Sequence, residues 1–195
     1  FNRDEWGRKV FEGINTHIAT RRISLNVRFG RPGGAGLQRE DHLFASNESP
    51  FTWQNSYDPL AQVQGGILDA CTNSNSCPKI IQTLSSSEYW QLRASLRTTD
   101  VAGRRDLDIP AAVRIYLFAG TQHVPSASVD RLTGRQGNPH AYAPYLRALV
   151  EALEKWVLYN EAPPGNAIPT LAARELVRPQ SRKAGWPHIP GIPYK

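Results

Sequence analysis

Two short runs constrain the fold more than anything else in the chain: PKIIQTL at 78–84 and VRIYLFA at 113–119. The first is rich in β-branched residues, the second in β-branched and aromatic ones. In the second, Val113, Ile115, Leu117 and Ala119 alternate with Arg114, Tyr116 and Phe118, so both faces of the strand are largely apolar. A strand apolar on two faces is covered on two faces, which is the condition of a central strand in a parallel sheet. Helical spacing follows each run. Tyr89, Leu92, Ser95 and Leu96 recur at the helical period, with Ser85, Ser86 and Ser87 ahead of them as capping candidates. Tyr142, Tyr145, Leu146, Leu149, Val150, Leu153, Trp156 and Val157 define the longest amphipathic helix in the chain.

Upstream, NRDEWGRKVFE at 2–12 reads as a helix, with Asn2 and Asp4 as caps and Trp6, Val10 and Phe11 on one face. INTHIA at 14–19 reads as a strand. Strand and helix in alternation imply an α/β domain: a mostly parallel sheet flanked by helices, joined by crossovers. In such sheets ligands bind at the carboxyl ends of the strands.

Irregular segments interrupt this core. From Thr20 to Pro59 glycines and prolines punctuate a loop-like text that also holds Phe44, Phe51, Trp53 and Tyr57, and a structureless stretch of that length has a functional reason. A short helix is expected over 60–70, weakened by Gly65 and Gly66. Beyond Glu161 a proline-rich tail without period, 161–195, is expected to wrap the surface.

Composition removes several function classes. The 195 residues, 40% hydrophobic and 21% charged, suffice for one domain with a buried core. No apolar run is long enough to span a bilayer, and the amino terminus lacks the basic and apolar regions of a signal peptide. The chain opens on Phe1 and contains no methionine, so an internal fragment of a longer protein is expected. The net charge of +6 would suit an anionic partner, but the basic residues are scattered. The tightest groupings are adjacent pairs such as Arg21 with Arg22 and Arg104 with Arg105, and nucleic acid is not an expected partner. Cys71 and Cys77 bracket the polar turn CTNSNSC; they are either a short-range disulfide or two thiols. A bridge would favour a periplasmic or secreted location, which the sequence otherwise leaves open. Oligomeric state is not readable.

The strand runs also deliver chemistry. Glu88 follows the end of the first, and GTQH places His123 just past the end of the second. Taken singly, each has a plain explanation: a first-turn helix acid favoured by the dipole, and a loop histidine. Together they put a carboxylate and an imidazole on one edge of the sheet. There the acid can accept the Nδ1–H bond and fix the tautomer while Nε2 acts as general base. The order acid, then histidine, is that of α/β serine hydrolases. His17 reads as part of an apolar strand. His42, with Asp41 and Glu40, makes a weak metal set on an irregular segment, and His140 and His188 carry no pattern.

Several segments, GRKVFEGINTHIA, DHLF with PFTW, CPKIIQTLSSSEYW with RASL and TTD, RIYLFAGTQH and YLRALVEALEKWV, together resemble the large alpha/beta hydrolase domain family of mostly uncharacterised bacterial and fungal proteins. The resemblance runs from Asn2 to about Val177. It implies the carboxyl-side part of an α/β-hydrolase fold, with SxEYW placing the triad acid at Glu88 and GTQH the triad histidine at His123. Residues 20–75 then form part of a cap or lid over the site. Phe51, Trp53, Tyr57 and Trp90 are expected as walls of a substrate pocket.

The family's nucleophile belongs on a G-x-S-x-G elbow, and no such motif occurs in these 195 residues. Ser85, Ser86 and Ser87 lack its glycines. Gly33, Gly34 and Gly36 read as cap turns rather than an oxyanion loop. The nucleophile and oxyanion donors are therefore expected upstream of Phe1. The implied protein hydrolyses a small-molecule carboxylic ester without a cofactor, and this chain alone is expected to be inactive. The alternative is a non-catalytic α/β-hydrolase-like binding or interaction protein, since fold does not dictate function.

Overall fold

The computed structural model describes residues 2–19, 50–129, 131, 134, 136–178, 184–185 and 190–191. In chain order its elements are β1 (Gly13–His17), β2 (Ser56–Asp58), β3 (Val63–Gly65), α1 (Asp69–Asn73), β4 (Lys79–Ser85), a π-helical turn (Ser87–Gln91), a 3-10 turn (Ala94–Arg97), β5 (Val113–Phe118) and α2 (Ala143–Tyr159). A parallel sheet of order β1-β4-β5 forms the centre. His17 lies beside Thr83, and Ser85 beside Phe118, so the three strands end at a common edge.

The two apolar faces of the central strands are each covered. On one side Ile80, Leu84, Val113 and Ile115 pack with Trp53, Tyr89 and Ala94. On the other, Ile81 and Tyr116 pack under Trp156, supported by Leu149 and Leu153 of α2. Each such buried apolar side chain contributes roughly 1.5–3 kcal/mol relative to exposure. Gln82 is buried within the sheet and donates from its amide to the Ala19 carbonyl at 2.6 Å. α2 begins with a proline in its first turn and ends at Asn160, whose positive φ closes the helix. Lys79 Nζ donates to the Asn160 side chain at 2.9 Å and anchors that end.

The tail covers the outer edge of β5. Asn166 Oδ1 accepts from the Ile115 N–H at 2.8 Å, Ala167 N–H donates to the Ile115 carbonyl at 3.0 Å, and Leu117 N–H donates to the Ala167 carbonyl at 2.9 Å. This part of 161–195 therefore satisfies strand groups as well as wrapping the surface.

Three expected helices are not formed as such. Residues 2–12 make a turn in which Asp4 Oδ1 accepts the Trp6 and Arg8 N–H groups and Arg3 bridges antiparallel to Lys9. An aspartate bonding forward to its own backbone competes with helix, and Gly7, with φ of 77°, completes the turn. Residues 60–70 belong instead to the β2–β3 hairpin and the short α1. Asp58 Oδ1 caps the turn by accepting from Leu60 and Ala61, and Ser56 pairs with Gly65. The run after β4 breaks at Arg93, whose φ of 65° separates the π-helical and 3-10 turns. Residues 20–49, the main part of the expected cap, lie outside the described residues, together with His42, Asp41, Glu40 and the 33–36 glycines. The remainder, 50–75, packs Trp53, Ile67 and Leu68 against the sheet. Cys71 and Cys77 are joined by a disulfide within this segment.

Two glycines stand at close approaches. A Cβ on Gly66 would lie 2.5 Å from the Gln54 carbonyl carbon, whereas one on Gly13 would meet Val157 Cγ2 at 2.7 Å, a side chain able to move. Gly66→Ala is therefore expected to lower the unfolding free energy by about 1–3 kcal/mol and Gly13→Ala by less, as read from urea midpoints.

Candidate active site

β4 passes directly from Ser85 into the π-helical turn, which turns Glu88 back beneath the strand end. The Glu88 side chain is completely buried. Its Oε2 accepts from the Ser85 N–H at 2.9 Å and from the Ser85 hydroxyl, so the carboxylate closes back on the last residue of the strand. Its Oε1 faces His123 Nδ1 at 2.5 Å. Every lone-pair direction that matters is thus matched by a donor, as a buried carboxylate requires.

β5 ends at Phe118, and Gly120, with φ of 74°, turns the chain toward the β4 exit. Two bonds lace the exits together: Ser86 N–H donates to the Thr121 carbonyl at 3.1 Å, and Gly120 N–H donates to Ser86 Oγ at 2.9 Å. Asn138 Nδ2 holds the Gly120 carbonyl at 2.6 Å. The Tyr142 hydroxyl, at the start of α2, donates to the His123 carbonyl at 2.7 Å. Tyr142 is itself stacked on Phe118, ring centroids 5.6 Å apart.

The His123 side chain is 55% exposed while its acid is 0% exposed. Nδ1 is committed to Glu88, and among the described residues Nε2 has no hydrogen-bond partner. An imidazole held in this way keeps one tautomer and can take a proton from a group presented at Nε2, with the carboxylate stabilising the resulting cation.

The β1 exit adds a third titratable group. His17 Nδ1 lies 2.8 Å from Thr83 Oγ1, and its ring meets Tyr142 edge-on at 4.7 Å. Burial lowers its pKa below 6.5, the charge of Glu88 opposes that shift, and His123 reinforces it. Burial and the same Glu88 charge push the Tyr142 phenol up.

The four aromatic residues expected as pocket walls are not brought together. Trp53 is 4% exposed, a core residue with the Arg97 guanidinium 5.3 Å over its ring. Desolvation in this environment lowers Arg97 to about 10. Phe51 and Tyr57 line a small cavity of about 80 Å³ with Pro50, Leu96 and Leu107, and neither Glu88 nor His123 lines it. Trp90 is largely exposed and meets Tyr89 edge-on. Among the described residues no group of His, Cys, Asp and Glu is placed to hold a metal ion, and no helix is long and apolar enough to cross a membrane.

Sequence reasoning missed Tyr142 and His17 as members of this site. Tyr142 carries the same apolar periodicity as the rest of α2, and His17 sits in a strand whose partner is 66 residues away. The position of His17 at a strand end was the available signal.

A family model described as Alpha/beta hydrolase domain matches residues 1–184, and the chain belongs to that family. The parallel sheet flanked by a helix accords with this fold. No curated protein and no solved structure matches the chain significantly.

Two measurements probe the arrangement. Tyr142→Phe keeps the ring stack but removes the bond to the His123 carbonyl, and is expected to cost about 1 kcal/mol in denaturant unfolding. The His17 pKa is depressed on folding, so the unfolded chain takes up the proton first as pH falls. Stability is therefore complete above pH 6.5 and declines as pH drops toward the folded value. His17→Phe is expected to flatten that part of the curve when urea midpoints are compared from about pH 5 to about pH 8.

Proposed function

We propose that the protein hydrolyses small-molecule carboxylic esters through a serine nucleophile, with His123 as general base and Glu88 as its orienting acid. The observation that carries this reading is the 2.5 Å contact of buried Glu88 Oε1 with His123 Nδ1 at the shared strand edge. Membership of the alpha/beta hydrolase family supports it, as does the chain order of acid and histidine.

In this mechanism the serine hydroxyl gives its proton to His123 Nε2 as its oxygen bonds to the ester carbonyl carbon. The C–O bond to the alcohol then breaks, and the departing oxygen takes the proton from Nε2. A water repeats the sequence on the acyl-enzyme, releasing the acid and restoring the serine. The chemistry needs no cofactor. The serine and the oxyanion donors are assigned to sequence outside these 195 residues, which contain no G-x-S-x-G elbow. Residues 20–75 are assigned to a cap over the site.

A panel of p-nitrophenyl esters with the full-length protein tests the assignment. His123→Ala is expected to reduce turnover by about 10³-fold or more. Glu88→Gln is expected to reduce it less, with folding verified by circular dichroism. Wild-type turnover in the His123 variant would remove His123 from the mechanism.

A further inference from the structure

Three parallel strands end at one edge, and the proposed mechanism uses the exits of only two. The third exit is His17. Thr83 Oγ1 lies 2.8 Å from His17 Nδ1 and 3.4 Å from the Thr16 carbonyl; with the single hydroxyl proton directed to that carbonyl, Oγ1 is the acceptor for an Nδ1–H of His17. In that tautomer the neutral ring carries a lone pair on Nε2, and that atom has no hydrogen-bond partner among the described residues.

This imidazole is not a remote core histidine. It is half-buried, and it rests against the tyrosine whose hydroxyl holds the His123 carbonyl. The charges of Glu88 and His123 both act on it. Among the described residues its contacts are made through Nδ1 and the ring, which leaves Nε2 at the edge where ligands of parallel sheets bind.

We propose that His17 is a substrate-binding residue of this site, its Nε2 lone pair accepting a hydrogen bond from a hydroxyl or N–H group of a substrate held at His123. The substrate class is therefore an ester bearing such a donor near the scissile carbonyl. This inference rests on the hydrolase reading for its reaction, though not for its binding contact.

The test compares p-nitrophenyl 3-hydroxybutyrate with p-nitrophenyl butyrate in the full-length protein and in His17→Phe, which keeps a ring against Tyr142. The variant is expected to lose about tenfold in kcat/KM on the hydroxylated ester, the worth of one neutral hydrogen bond, with little change on the plain one. Equal losses on both would reduce His17 to a packing role and overturn the proposal. Binding is read separately by ¹⁵N spectra of His17 in the His123→Ala protein. Methyl 3-hydroxybutyrate, and not methyl butyrate, is expected to shift Nε2 of an Nδ1–H tautomer. An Nε2–H tautomer, or no selective shift, would overturn it. Absence of ester turnover together with a selective shift would count against the hydrolase reading and sustain the His17 contact.

Discussion

The structure turns on a carboxylate with no access to water. An ionised Glu88 buried alone would be strongly unfavourable, and it is tolerated only because donors meet both of its oxygens. One oxygen is closed by Ser85, three residues earlier in the same chain turn, and the other by an imidazole from a different strand exit. That second condition fixes tertiary structure. β5 must stand beside β4 in the register that sets Phe118 next to Ser85, or His123 arrives in the wrong place. The crossed bonds between Ser86 and the Gly120–Thr121 turn enforce the same register from the loops.

α2 joins packing to chemistry. Its body buries Ile81 and Tyr116 beneath Trp156, and its first residues place Tyr142 over Phe118 and against the His123 backbone. The contact of Gly13 with Leu153 and Val157 sets how closely the helix lies on β1. A change in that closeness would be felt at the other end of the same helix, where the tyrosine holds the His123 loop. Packed interiors transmit displacement in this way because they contain little free space.

What was legible from the amino-acid text follows the range of the interactions involved. β4, β5 and α2 are visible because their apolar spacing is a local record of burial on two faces or one. The juxtaposition of Glu88 and His123 is visible because parallel strands of one sheet end on one side. The turn at 2–12 was hidden because Asp4 and Gly7 outweigh the helical spacing of Trp6, Val10 and Phe11, and the 60–70 hairpin because Asp58 closes it from outside the window. Trp53 looked like a pocket wall because aromatic content does not reveal whether a ring faces the sheet or a ligand. His17 was hidden for a third reason: its meaning depends on Thr83 and Tyr142, both distant in sequence.

The strip of tail at Asn166 and Ala167 closes one margin of the sheet. Along β5 the outward amide and carbonyl of Ile115 and the amide of Leu117 are engaged by it. Unpaired strand margins are templates for annealing, in a native neighbour or in aggregates. The tail therefore closes the His123 side of the sheet with groups of its own chain, leaving no row of free amides there for another strand to anneal to.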